Sequence, residues 1–292
     1  MTVTVPGVLS VRGADTQSLP LVFDSPHSGT DYPADFDHAA DPLTLRHAED
    51  THVADLWSGA VAAGAVLLEA HFPRSYVDAN RAPDDMDPAQ IEGSYPGALN
   101  PTVKSSLGIG LCWTRVPPGG EPLYARQLSA DEVAARVARY HRPYQSRLRA
   151  LLDEGHARWG AVWHINCHSM QEVASAMSTQ ARGTPRPDFV LGDRDGASCE
   201  PDLTETVRAF LSARGYSVAV NDPYKGMELI RANGDPARRR HSMQIEVNRK
   251  LYMDEDTRAP NAGYDTLKAC FDALSLHLSD YVASRLERTT AE

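Results

Sequence analysis

Only four of the 292 residues are cysteine (Cys112, Cys167, Cys199 and Cys270), and none forms a CxxC pair. They read as reduced, buried thiols rather than a disulfide framework, and Cys167, inside an apolar run, reads as core filling. No stretch approaches the ~20 apolar residues needed to cross a bilayer. The opening Met1–Pro6 lacks both a basic n-region and an apolar h-region, so no secretory signal is expected. Positive charge is in short supply: 29 Lys and Arg against 39 Asp and Glu give a net charge of -10. That balance argues against a nucleic-acid or membrane partner, both of which need a basic face. It leaves room for a small anionic substrate, because a few local arginines outweigh a distant negative surface. There is no GxSxG elbow, no P-loop and no GxGxxG; Gly108-Ile109-Gly110 lacks the third glycine. Serine-hydrolase and nucleotide-dependent chemistry are therefore set aside. With no internal repeat, low-complexity tract or Pro/Gly-rich linker, residues 1–292 are read as one domain of a cytoplasmic protein whose oligomeric state the sequence leaves open.

The composition present is that of a globular enzyme, 42% hydrophobic and 23% charged, and the chain is long enough to bury a substantial core. Apolar runs predict strands at 19–24, 65–70, 161–167, 188–191, 216–221 and 243–248. Helical spacing is seen from about Leu43 to Ala63, through Val53, Leu56, Trp57 and Val61. Ser129-Ala130-Asp131-Glu132 is a capping box opening a long helix that Pro143 should kink or divide. Further helices are expected from Glu200 to Arg214, stopped by Gly215, and after Pro260. Strands alternating with helices predict an α/β sheet with helices on both faces. The weakly patterned segment from Ala82 to Leu123, rich in Pro, Gly, Asp and Asn, is long enough to be functional and is expected to cover the site.

Two strand candidates end on histidines: Val22-Phe23-Asp24-Ser25-Pro26-His27-Ser28-Gly29 and Trp163-His164-Ile165-Asn166-Cys167-His168-Ser169-Met170. The carboxyl ends of strands are where open α/β sheets place their ligands. Two such histidines suggest a metal site, and catalytic zinc commonly takes three His or carboxylate ligands. The third candidate lies in Arg46-His47-Ala48-Glu49-Asp50-Thr51-His52, where Asp50, Glu49, His47 or His52 could serve. Asn80-Arg81 places an amide beside a guanidinium able to grip a carboxylate at two points. Glu246 sits in a β-like apolar alternation, where an unpaired carboxylate is costly. It reads either as one half of an ion pair with Arg249 or as a general base with a raised pKa.

Ser25-Pro26-His27-Ser28-Gly29, Glu49-Asp50-Thr51-His52, Val77-Asp78-Ala79-Asn80-Arg81, Asn166-Cys167-His168-Ser169-Met170 and Gln244-Ile245-Glu246-Val247-Asn248-Arg249 resemble, in order, the motifs of the N-formylglutamate amidohydrolase family. Pro223-Tyr224-Lys225-Gly226 also resembles a family segment. The resemblance spans roughly Leu21 to Met253 and implies a relative of the zinc carboxypeptidases. The implied fold is a phosphorylase/hydrolase-like three-layer α/β/α core around a mixed sheet. The implied zinc ligands are His27, Asp50 and His168, with Glu246 as general base and Asn80 and Arg81 holding the substrate carboxylate. The implied reaction takes N-formyl-L-glutamate to formate and L-glutamate, as in histidine degradation. Arg115, Lys225 and Arg231 are candidates for a second carboxylate. Asn166 departs from the family's usual Asp, and Ala79 from a common Leu. The rival readings are the same zinc machinery acting on another N-acyl amino acid or short peptide, and a non-catalytic binding protein with a degenerate metal site.

Overall fold

Side-chain alternation in one strand decides the architecture. In the run Val162–Met170 every residue is buried. Trp163, Ile165 and Cys167 join one apolar cluster, so by the period-two rule His164, Asn166 and His168 face the opposite side of the sheet. A strand buried on both faces belongs in the middle of a covered sheet.

That position is what the computed structural model, which describes residues 2–290, shows. The main sheet comprises β1 (Thr2–Val5), β2 (Leu9–Arg12), β3 (Leu21–Ser25), β4 (Val66–Ala70), β5 (Val162–Met170), β6 (Phe189–Gly192), β7 (Val218–Val220) and β8 (Arg240–Asn248). Their spatial order is β1-β2-β4-β3-β5-β8-β6-β7. The four central strands β4, β3, β5 and β8 run parallel, whereas β2 and β6 flank them antiparallel, so the sheet is mixed. Helices α1 (Pro42–Arg46), α2 (Val53–Leu56), α3 (Val103–Ser106), α4 (Ala130–Arg136), α5 (Arg142–Trp159), α6 (Pro201–Ser212), α7 (Glu228–Asn233) and α8 (Tyr264–Thr290) complete the set of named elements. Tyr144, Leu148 and Leu151 of α5 pack on Val22, Val66 and Leu68 on one face. Leu203 and Val207 of α6 and Phe271, Leu274 and Leu278 of α8 pack on Phe23, Leu67 and Ile165 on the other. The result is the three-layer α/β/α arrangement.

All six expected strands are present. The helix expected across Pro143 is divided, as its missing N–H and bulky ring require. Ser129 caps α4 by accepting from Glu132 N at 3.1 Å, and a π-helical turn over Val137–His141 separates α4 from α5. The segment expected as one helix from Leu43 to Ala63 instead breaks into α1, α2 and a 3-10 turn at Ser58–Val61. The break has a physical cause: Asp50 N donates to His27 O at 2.9 Å, and His52 takes a left-handed backbone with φ 69°. Tertiary bonding at this point overrides local helical spacing. The β1–β2 hairpin escaped the sequence reading because β1 is exposed along its whole length and offers no buried face to read.

Beneath the carboxyl ends of the central strands lies a sealed polar network. Asp24, fully buried, accepts from Tyr144 Oη at 2.8 Å, His164 Nε2 at 2.8 Å and Asn166 Nδ2 at 2.7 Å. Burial alone would raise its pKa, but the His164 charge and these three donors hold it below the usual range. Ser242 Oγ lies 2.7 Å from His164 Nδ1, which completes a Ser–His–Asp chain. All three residues are buried in the sheet and none lines the cavity at the strand ends, so this chain reads as a structural brace rather than a nucleophile. Tyr144→Phe strands one Asp24 oxygen in the core and is expected to destabilise the protein by ~1–3 kcal/mol. Urea denaturation of the two proteins measures the difference, and an unchanged midpoint contradicts the bracing role.

Candidate active site

Three chain segments meet at the carboxyl ends of β3 and β5. His27 follows β3 through the turn at Pro26, His168 is near the end of β5, and Asp50 lies between α1 and α2. Their ligating atoms fall within 4.8 Å of one another, and all three side chains are buried. His27 Nδ1 stands 3.4 Å and His168 Nδ1 3.0 Å from the same oxygen, Asp50 Oδ2.

The outer contacts fix the tautomers. His27 Nε2 donates to Asp78 Oδ1 at 2.7 Å, which leaves Nδ1 as a lone pair. That buried Nδ1 has no hydrogen-bond partner. His168 Nε2 donates to Asn166 Oδ1 at 2.7 Å, and Asn166 is oriented by its own amide bond to Asp24. His168 Nδ1 therefore also turns a lone pair toward Asp50. Two lone pairs facing one carboxylate oxygen in a buried site would be stabilised by a positive charge between them. Two imidazoles with a carboxylate form a donor set that suits zinc, and the orphaned His27 Nδ1 is the observation that makes a metal fit here.

Asp50 is held by more than the histidines. Its Oδ1 accepts from Arg249 Nη2 at 3.0 Å and from Ser169 Oγ at 3.2 Å. Burial would raise its pKa, but the imidazoles of His168 and His27 beside it and the nearby Arg74 charge keep it well below the carboxylate range. Asp78 behaves likewise: against burial, Arg74 and His27 hold it well below that range. Burial pushes His168 down, which keeps it neutral and fit to be a ligand. Glu49, His47 and His52, the open alternatives for the third position, lie outside the cluster. Glu49 accepts from Tyr32 and Arg46, and His52 Nε2 donates to Arg258 O.

Glu246 sits directly across from His168 in the parallel β5–β8 register, so the two side chains leave the same face of the sheet side by side. Its Oε1 accepts from Gln244 Nε2 at 2.8 Å. Arg249 pairs with Asp50 instead of Glu246, which leaves the latter without a close cation. Burial first and the Asp50 charge second push its pKa up to about 8, against the pull of Arg74, Arg186 and Arg249. This is the environment of a carboxyl group that exchanges protons near neutral pH.

Both groups open onto a cavity of about 420 Å³. Arg81 lines it, buried, with Asp78 and Asp85 each 3.9 Å away and no close bidentate partner. Asn80 also lines it, but its Oδ1 accepts from Leu229 N at 2.9 Å and its Nδ2 lies 3.4 Å from Asn166 Oδ1, so it braces the β5 strand end against α7. Of the three candidates for a second carboxylate, only Lys225 reaches the cavity, at its rim, where it pairs with Asp195 at 2.8 Å. Arg115 is exposed and bonded to Gly120 O, and Arg231 is paired with Glu228, so neither lines the cavity. The 82–123 segment walls it through Lys104, Ile109, Trp113 and Pro117. Sequence reasoning gave no role to Asp78, Lys104 or Arg186. Asp78 stood in a quoted motif two residues before Asn80, whereas Lys104 lies in a segment without pattern.

Fold and site together define a class: a three-layer α/β protein of the hydrolase kind, with a His–Asp–His cluster at its strand ends and a protonatable carboxylate beside it. The chain belongs to the N-formylglutamate amidohydrolase family, whose model matches residues 19–253. A protein named N-formylglutamate deformylase from Pseudomonas putida is 32% identical over 244 residues, covering 81% of this chain and 83% of that protein. Its namesake from Pseudomonas aeruginosa is 30% identical over 243 residues, with the same coverage. The crystal structure of an N-formylglutamate amidohydrolase from Ralstonia eutropha JMP134 superposes with a TM-score of 0.91 at 47% identity, covering 95% of this chain and 99% of that one. Among the described residues no helix is long and apolar enough to cross a membrane.

The depressed carboxylates make the metal-free protein acid-sensitive. A carboxylate whose folded pKa lies below its unfolded value of ~4 contributes stability at higher pH that is lost as pH falls through the folded value. Unfolding free energy of the metal-free protein is therefore expected to drop as pH falls below ~4. Asp78→Asn should flatten that part of the profile, and an unaltered slope contradicts the assignment.

Proposed function

We propose that this protein is a zinc-dependent amidohydrolase that cleaves the formyl amide of N-formyl-L-glutamate to formate and L-glutamate. The observation that carries the reading is the register of β5 and β8, which sets Glu246, a base that titrates near neutrality, beside a metal-ready cluster. The names of the relatives support the substrate, and Arg81, buried in the wall with its nearest carboxylates, Asp78 and Asp85, at 3.9 Å and no bidentate partner, supports a carboxylate-bearing one.

His27, Asp50 and His168 would hold the metal, which when bound supplies a Lewis acid that lowers the pKa of water and polarises a carbonyl. Asp78 and Asn166 hold the two imidazoles in the tautomers that ligation needs. Glu246 accepts a proton from the attacking water as its oxygen bonds to the formyl carbon. The same carboxyl group then delivers that proton to the amide nitrogen as the C–N bond breaks. Arg81 anchors the substrate carboxylate, and Arg74 on the same wall adds positive charge where the oxyanion develops.

Glu246→Gln keeps shape and one acceptor oxygen but cannot take the water proton, so turnover is expected to fall ~10²–10⁴-fold with metal and substrate still bound. Loss of metal in that variant would make Glu246 a ligand, and near-normal turnover would place the base elsewhere. Alanine at His27, Asp50 or His168 is expected to abolish metal binding, read by elemental analysis of the purified protein. Arg81→Lys should raise KM strongly at unchanged metal content, because an ammonium cannot reproduce the planar two-point grip. An unaltered KM would remove Arg81 from the substrate site. Comparing N-formyl, N-acetyl and peptide substrates separates this reading from the same machinery with another acyl group.

A further inference from the structure

N-formyl-L-glutamate carries two carboxylates, and Arg81 accounts for one. Most other cations at the cavity are already committed: Arg249 to Asp50, Arg74 to Asp78, and Lys225 to Asp195. Lys104 and Arg186 are not, and neither has an ion-pair partner among the described residues. Arg186 is buried and held only by neutral acceptors: Gln171 O at 3.2 Å, with Gln180 Oε1 and Ser178 Oγ at 3.4 Å. Lys104 comes from α3, is half-buried, and donates one long bond of 3.5 Å to Met177 O. Burial and the nearby charges of Arg81, Arg186 and Arg74 push its ammonium down to about 8. A lysine kept charged among arginines, with two of its three donors unused, lacks an anion.

We propose that Lys104 receives the side-chain carboxylate of the substrate, with Arg186 adding to the positive field on that wall, while Arg81 holds the carboxylate beside the cleaved amide. Arg81 is assigned the nearer group because its neighbour Asn80 lies 3.1 Å from His168 Nε2 and the α-carboxylate is only two bonds from the amide nitrogen. Lys104 reaches the cavity from a different segment and meets the group at the far end of the side chain. This assignment rests on the reading of the cavity as an N-acyl amino-acid site and makes it selective for a dicarboxylate.

The test compares N-formyl-L-glutamate with N-formyl-L-glutamine, which has nearly the same shape and no side-chain charge, on metal-loaded wild type, Lys104→Met and Lys104→Arg. Lys104→Met is expected to reduce the preference in kcat/KM for the charged substrate by about 10–100-fold, mainly through KM. Lys104→Arg, which keeps a cation on the wall, should retain part of it. An equal loss for both substrates, or an unchanged preference, overturns the proposal. Calorimetric binding of L-glutamate against L-glutamine gives a readout independent of turnover. A glutamate preference that depends on Lys104 in a protein that hydrolyses neither formyl compound would sink the proposed reaction and leave this assignment standing. Turnover of N-formylglutamate with glutamate binding indifferent to Lys104 would do the reverse.

Discussion

Two imidazole lone pairs and a carboxylate oxygen, all out of water, are pressed against one another by three segments far apart in the chain. Such a concentration of electron pairs is unfavourable without a cation, and much of the surrounding structure serves to maintain it. Asp78 and Asn166 prevent the imidazoles from turning away, and Arg249 fixes Asp50 from behind. The helix expected across residues 43–63 is given up so that Asp50 can be placed there.

Support for His168 runs through the sheet itself. Asp24, Asn166 and His168 form a hydrogen-bonded row from β3 into β5, and the negative charge sits two residues back from the imidazole. An Asp at position 166 would place a second carboxylate against Asp24 in a sealed layer, where two like charges cannot both ionise. An amide avoids that conflict, donating to Asp24 and accepting from His168. Asn166 thus transmits orientation without bringing charge next to the cluster.

Much of this was legible in the sequence because strands report their own burial. The alternation in Trp163–Met170 announces a buried strand, Pro26 marks where β3 must turn, and Pro143 falls in the first turn of α5, just after the π-helical turn that divides the helix. The motifs carried His27, Asp50, His168 and Glu246 as a set. Partners chosen by tertiary packing were not legible. An ion pair with Arg249 is one of the two readings that the sequence allows Glu246, yet Arg249 reaches Asp50 across the fold. Arg115 and Arg231 looked available, but one bonds a turn carbonyl and the other its own helix neighbour, and neither lines the cavity. Lys104 gave no signal because its segment has neither period nor motif, and only the folded wall shows what it faces.

The central claim is that the His27–Asp50–His168 cluster is a metal centre of mixed nitrogen and oxygen ligation. X-ray absorption of the zinc-loaded protein tests it most directly. The account predicts one zinc per chain with two imidazole nitrogens and carboxylate oxygen at ~2.0–2.2 Å, and no sulfur. A sulfur scatterer at ~2.3 Å, or an oxygen-only shell without the imidazole signature, would contradict it.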